Sequence, residues 1–111
     1  MIETAVVILN YNGKHFLQQF LPGVIANSGT AKIVVADNAS TDDSVNFLKE
    51  NFQNQIEIIQ LETNKGYCGG YNAALKQVKA TYYVLLNSDV EVTAGWVDPV
   101  INLFKQDQAI A

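Results

Sequence analysis

Short apolar runs alternate along the chain with longer stretches in which apolar residues recur every three or four positions. Residues 5–9, 33–36, 56–61 and 82–86 are the runs. Their length and their β-branched and aromatic content predict strands, and the last is expected to be buried within a parallel sheet. Residues 14–27 place Phe16, Leu17, Phe20, Leu21, Val24 and Ile25 on one helical face, with Pro22-Gly23 expected to kink or interrupt it. Residues 42–52 predict a second helix that turns Val45, Leu48 and Phe52 inward. Ser40 or Thr41 would cap it, and Asp42 and Asp43 suit its first turn. Residues 67–79 predict a third helix with Tyr71, Ala74, Leu75 and Val78 on a single face. Thr93 is expected to cap a last helix carrying Trp96, Val97, Val100, Ile101 and Phe104. The ending Gln108-Ala109-Ile110-Ala111 reads as the start of a fifth strand, so the chain is expected to stop inside a fold. Such alternation implies an α/β architecture: a mostly parallel sheet of about four strands with helices on both faces.

Composition narrows the possibilities. A chain of 111 residues, 49% hydrophobic and 16% charged, has the make-up of one compact domain with a real core. Its net charge of −4 argues against a dedicated nucleic-acid binder, which would show a basic patch or stripe. Cys68 is the single cysteine, which excludes an internal disulfide and a multi-cysteine zinc site and makes a reducing compartment the default. The start lacks a basic segment followed by a long apolar stretch, and the apolar runs are too short to span a bilayer. A cytoplasmic segment is expected, without a membrane segment of its own.

The chemistry gathers where strands end. Asn10-Tyr11-Asn12-Gly13 follows the first strand, Asp37-Asn38-Ala39-Ser40-Thr41-Asp42 the second, and Asn87-Ser88-Asp89 the fourth. These clusters share the carboxyl edge of the sheet, where open α/β sheets bind ligands. Two acidic strand tips on one edge suggest a site for a metal ion and a nucleotide. Between the third strand and its helix lies Asn64-Lys65-Gly66-Tyr67-Cys68-Gly69-Gly70-Tyr71-Asn72. Its glycines permit close backbone approach, and free N–H groups at the following helix start would suit an anion such as a diphosphate. The spacing is neither GxGxxG nor GxxxxGK[ST], so it makes no dinucleotide fingerprint and no P-loop.

Taken in order, the four clusters resemble the nucleotide-sugar-binding half of family 2 glycosyltransferases, which have the GT-A fold. The matching pieces are Val6-Val7-Ile8-Leu9-Asn10-Tyr11-Asn12, Val34-Val35-Ala36-Asp37-Asn38-Ala39-Ser40-Thr41-Asp42, the glycine-rich loop, and Leu85-Leu86-Asn87-Ser88-Asp89. The likeness is greatest to the rhamnosyltransferase-like branch, where the last motif often reads Asn-Pro-Asp rather than Asp-x-Asp. It implies a Rossmann-like donor half spanning residues 1–111, cut before the acceptor half. The donor site would draw on Asn10, Tyr11, Asn12, Asp37, Asn38, Ser40, Asn64, Gly66, Gly69, Asn72, Asn87, Ser88 and Asp89. Asp37 would accept the imide N3–H of uracil or thymine, a donor that cytosine lacks. Asp89 would hold Mg2+ or Mn2+ against the diphosphate of a UDP- or dTDP-linked sugar. Asn87 replaces the motif's first acid and cannot add a second charge at the metal.

Further implications follow from the resemblance. The acceptor would be a glycan or lipid-linked saccharide, and the reaction would invert the anomeric centre. Inversion needs an acidic base, which is expected after residue 111. An unpaired sheet edge makes a homodimer conceivable. Other polar and aromatic residues carry plainer expectations. His15 is expected at the surface or as a cap, and Cys68 as a packed small side chain. Tyr82, Tyr83 and Trp96 are expected in core or interface, Lys65 either as an exposed loop lysine or near the diphosphate, and Glu91 in solvent. The main rival is a receiver-like signalling domain of flavodoxin type. It would need an acidic pair after the first strand and an Asp after the third, where this chain has Asn10-Tyr11-Asn12 and Glu62-Thr63-Asn64.

Overall fold

A computed structural model describes residues 4–89, 92 and 96. Strands β1 (Thr4–Asn10), β2 (Lys32–Asp37), β3 (Glu57–Gln60) and β4 (Tyr82–Asn87) alternate with helices α1 (Lys14–Asn27), α2 (Ser44–Phe52) and α3 (Gly66–Leu75). All pairings are parallel and the strand order is β3-β2-β1-β4, so the four carboxyl tips share one edge. The architecture is α/β, as the alternation predicts. The expected last helix and fifth strand lie outside the described residues.

The pleat sorts the core into two layers. Val6, Ile8, Ile33, Val35 and Leu86 face α1 and α2, where they meet Leu17, Leu21, Val24 and Leu48. Ala5, Val7, Val34 and Ala36 face the other way, onto Tyr71, Ala74 and Val78. Small β1 and β2 residues on this second face let α3 lie close to the sheet. At the closest point a Cβ on Gly70 would stand 2.8 Å from a Leu9 methyl and 3.0 Å from Asn38 Nδ2. Glycine is needed here for space.

Three local expectations are corrected. Pro22 does not interrupt α1, which runs unbroken from Lys14 to Asn27. Pro22 and Gln18, whose carbonyl loses its helical donor, are both exposed, so water can satisfy that group. Helix α2 starts at Ser44 without a side-chain cap from Ser40 or Thr41, because those hydroxyls serve the strand tips instead. Strand β4 is not buried on both faces: Tyr83 and Leu85 are 41% and 49% exposed. They lie on the face of α3, which packs over β1 and β2 and leaves these two β4 side chains uncovered. The Tyr83 hydroxyl donates to Val78 O at 2.6 Å and accepts from Ala80 N–H, stapling the turn before β4.

Tyr71 joins α3 to the far strand. Its ring is buried and its hydroxyl donates to Leu86 O at 2.9 Å. Burial pushes this phenol up from 10.0 to about 12, since the phenolate would lose its water. A folded value above the unfolded one means stability that is complete below pH 10 and lost as pH rises towards 12. Tyr71→Phe should therefore flatten the alkaline decline in stability relative to wild type, by roughly 3 kcal/mol over that interval. Denaturant titrations at pH 9 and above would measure it, and parallel curves for the two proteins would refute the assignment.

Candidate functional site

The pleat also divides the carboxyl edge. Asp37 and Asn10 are abreast in the β1–β2 register and continue the face that carries α1. Leu9 and Asn87 are abreast in the β1–β4 register and, with Asn38, continue the face that carries α3.

On the α1 side the polar groups turn inward. Asp37 is 3% exposed, and its carboxylate accepts from Asn10 Nδ2 at 3.0 Å, Ser40 N–H at 2.9 Å and Ser40 Oγ–H at 2.7 Å. No salt bridge reaches it among the described residues. Ser40 Oγ also accepts the Asn12 N–H at 2.8 Å. The Asn12 Oδ1 in turn accepts N–H groups of Thr41 at 2.7 Å and Asp42 at 3.1 Å. Asn12 and Ala39 adopt the left-handed conformation, with φ of 52° and 63°. Asparagine tolerates it readily; alanine less so, and the hydrogen bonds on either side of Ala39 hold it there. Burial pushes the Asp42 carboxyl up, but donors from Ser44 and Lys14 and the Lys14 charge outweigh it. The group is held below the ordinary 3.8.

On the α3 side Asn38 is the organiser. Its Nδ2 donates to Asn64 Oδ1 at 3.1 Å and to Gly66 O at 3.0 Å, and its Oδ1 accepts the Lys65 N–H at 2.9 Å. Those partners fix which way the amide points. Gly66 takes φ +73°, a turn that glycine makes without strain. Tyr67, 62% exposed, then reaches from the first turn of α3 to donate its hydroxyl to Asn87 Oδ1 at 3.0 Å.

These loops enclose a cavity of about 470 Å³. Tyr11, Asn12, Asn38, Asn64, Gly66, Asn87, Ser88 and Asp89 line it, as expected of a site at this edge. Asn10, Asp37, Ser40, Gly69 and Asn72 do not. Asn10 and Asp37 lie beneath the wall, with the carboxylate committed to the protein's own donors; Asn72 is exposed on α3. The two acidic tips therefore share an edge but not a cavity. Leu9, Gly13, Phe16 and Tyr67, which the resemblance does not place in the donor site, also line it. Tyr67 and Gly13 sit inside the polar clusters, whereas Phe16 carries no polar signal and its spacing predicts helix core.

Among the described residues no cluster of three acidic, His or Cys side chains could hold a metal. Asp89 is exposed on the cavity rim and bonded to no described residue. One free carboxylate suits a hard cation that arrives with phosphate oxygens, because Mg2+ is commonly held by one or two carboxylates plus substrate phosphates. Glu91 lies outside the described residues. His15 is exposed, with its ring 4.0 Å from that of Phe16, and Cys68 is exposed rather than packed. The Trp96 Nε1–H donates to Ser28 Oγ at 2.9 Å, tying the chain after β4 to the end of α1. No helix of the described residues is long and apolar enough to cross a membrane.

Comparison with known proteins agrees with this fold. The solved structure of Staphylococcus aureus TarS 1–349 in complex with UDP-GlcNAc superposes with a TM-score of 0.82 at 22% identity, over 96% of this chain and 32% of that one. The mannosyltransferase PcManGT of Pyrobaculum calidifontis, solved with GDP-Man and Mn2+, gives a TM-score of 0.76 at 20% identity, over 93% and 31%. Both are likenesses of fold. Among curated proteins, the teichoic acid poly(glycerol phosphate) polymerase of Staphylococcus epidermidis is 22% identical over 85% of this chain and 14% of its own length. The Escherichia coli β-1,3-glucosyltransferase WfaP, which acts with UDP-Glc on α-D-GlcNAc-diphosphoundecaprenol, is 28% identical over 77% and 34%. The chain thus spans about a third or less of these relatives. The model of glycosyl transferase family 2 matches residues 5–111, nearly the whole chain, and the protein belongs to that family.

Proposed function

We propose that this chain is the donor-binding part of an inverting glycosyltransferase that moves a sugar from a UDP- or dTDP-linked donor to the hydroxyl of a glycan or lipid-linked saccharide. The setting is the making of a cell-envelope polysaccharide, at the cytoplasmic face of the membrane. The observation that carries this is the cavity at the carboxyl edge, walled by residues at or just after the tips of all four strands and bearing one free carboxylate, Asp89. The names of the relatives, a teichoic acid polymerase and a lipid-linked glucosyltransferase, support the class of acceptor. Asn87-Ser88-Asp89 supports the rhamnosyltransferase-like branch.

Within this reading Asn38 takes the place first given to Asp37. Its Oδ1, with one lone pair bonded to Lys65 N–H, has a second to accept the N3–H of uracil or thymine. Its Nδ2 is tied to Asn64 and Gly66, so the amide cannot turn to suit cytosine. Tyr11 offers an exposed ring to stack a base, and Gly66 and Tyr67 bring the start of α3, a favourable place for a diphosphate, to the cavity wall. A divalent ion such as Mg2+ or Mn2+, held by Asp89 and the diphosphate, would stabilise the charge of the leaving nucleoside diphosphate. The base that deprotonates the acceptor comes from a part of the protein outside this chain, so the chain alone binds donor and transfers no sugar.

Calorimetric titration with UDP, dTDP, CDP and ADP, with and without Mn2+, tests the reading. UDP and dTDP should bind best. Asp89→Ala should remove the gain in affinity that Mn2+ gives. Equal affinity for the four nucleotides, indifferent to Mn2+ and to Asp89→Ala, would sink it.

A further inference from the structure

Asn10 holds an unanswered group. It is fully buried, and its Nδ2 donates to Asp37 Oδ1 at 3.0 Å and Ser40 Oγ at 3.4 Å. Its Oδ1 is buried too, yet has no hydrogen-bond partner among the described residues. A buried carbonyl oxygen without a donor is unfavourable, and any state that supplies one is stabilised. The register identifies the donor. Leu9 is abreast of Asn87, so one step further along the strands Ser88 comes beside Asn10. Both Asn10 Oδ1 and Ser88 Oγ lie against the empty side of Gly13, 2.6 Å and 3.3 Å from where a Cβ would stand. Gly13 has φ −107°, so its glycine serves to leave that gap open rather than to permit a left-handed turn. Ser88 is half-buried, and its hydroxyl is bonded to no described residue.

We propose that Asn10 is a positioning residue that couples the two ends of the donor cavity. Its Oδ1 accepts the Ser88 hydroxyl when a nucleoside diphosphate with its divalent ion draws the β4 tip inward. The result is one chain of hydrogen bonds across three neighbouring strand tips: Asp37 on β2 with Ser40 just beyond it, Asn10 on β1, Ser88 beyond β4. Ser88 is flanked by Asn87 and Asp89, so seating it sets the rim carboxylate relative to the base-side loop. This rests on the reading of the cavity as a donor site.

The test compares uridine, which lacks the diphosphate, with UDP plus Mg2+ on wild type, Ser88→Ala and Ser88→Thr. The coupling predicts that Ser88→Ala loses about tenfold in affinity for UDP with Mg2+, the worth of one hydrogen bond, and clearly less for uridine. Ser88→Thr keeps the hydroxyl and should restore most of it. The Asn10 side-chain amide resonances should move on adding UDP and Mg2+ to wild type and Ser88→Thr, and stay still in Ser88→Ala. Wild-type behaviour of Ser88→Ala would overturn the coupling alone and leave a buried water as the partner of Asn10. Equal losses in Ser88→Ala and Ser88→Thr, or a matching loss of uridine binding, would overturn it as well. A wild-type chain that bound neither uridine nor UDP would overturn the coupling and the proposed function together.

Discussion

Asp37→Ala is expected to destabilise the fold by about 3–5 kcal/mol, a large part of the 5–15 kcal/mol that holds a domain of this size together. The substitution removes the acceptor of three donors: Asn10 Nδ2, Ser40 N–H and Ser40 Oγ–H. Asn10 is buried and already carries an unpaired Oδ1, so its amide would lose its best partner. Ser40 would be released from β2 and with it the hydrogen bond to Asn12 N–H that joins the β1 and β2 loops. Asp37→Asn should do less harm, about 2 kcal/mol, because an amide oxygen keeps one acceptor while its NH2 opposes a neighbouring donor. Denaturant midpoints measure both. If Asp37→Ala kept wild-type stability and lost only affinity for uridine, the buried carboxylate would have to be reassigned as the contact to the base.

Gly70→Val should cost about 3 kcal/mol by lifting α3 from the sheet. Its Cβ would meet both Leu9 methyls, at 2.8 Å and 3.0 Å, and Asn38 Nδ2 at 3.0 Å, before the two further methyls are placed. Leu9 can shift a little, but Asn38 cannot without breaking its bonds to Asn64, Gly66 and Lys65. The loss should therefore appear twice, in the unfolding midpoint and in weaker uridine binding. Gly69→Ala is the control. Its Cβ meets only Lys65 Cβ, at 3.2 Å, and the helix gains up to about 1 kcal/mol in propensity, so little net change is expected. Equal tolerance of the two substitutions would mean that α3 is not seated through Gly70.

Much of the fold was legible from periodicity. The strands centred on Val7, Val34, Ile59 and Val84 and the helices around Leu21, Leu48 and Tyr71 stand where the runs and the 3.6-residue spacing place them. Periodicity reports which residues must leave water, and it is local. It could not show that β4 stands last in the sheet order among the described residues with Leu85 uncovered, because that depends on where α3 comes to rest. Nor could it show that Pro22 is tolerated, which turns on that position facing solvent.

The site divides along the same line. The chain's order of residues determined that four polar clusters end four parallel strands, and that they therefore meet at one edge with Asp89 among them. It was silent on which side chains open into the cavity. Asp37 and Asn38 are neighbours in sequence, yet the pleat sends them to opposite faces of the sheet. The carboxylate goes to buried donors on the α1 side and the amide to the cavity wall on the α3 side. Only the packed structure decides this, because a polar group removed from water must find its partners in three dimensions, and those of Asp37 include Asn10, 27 positions away along the chain.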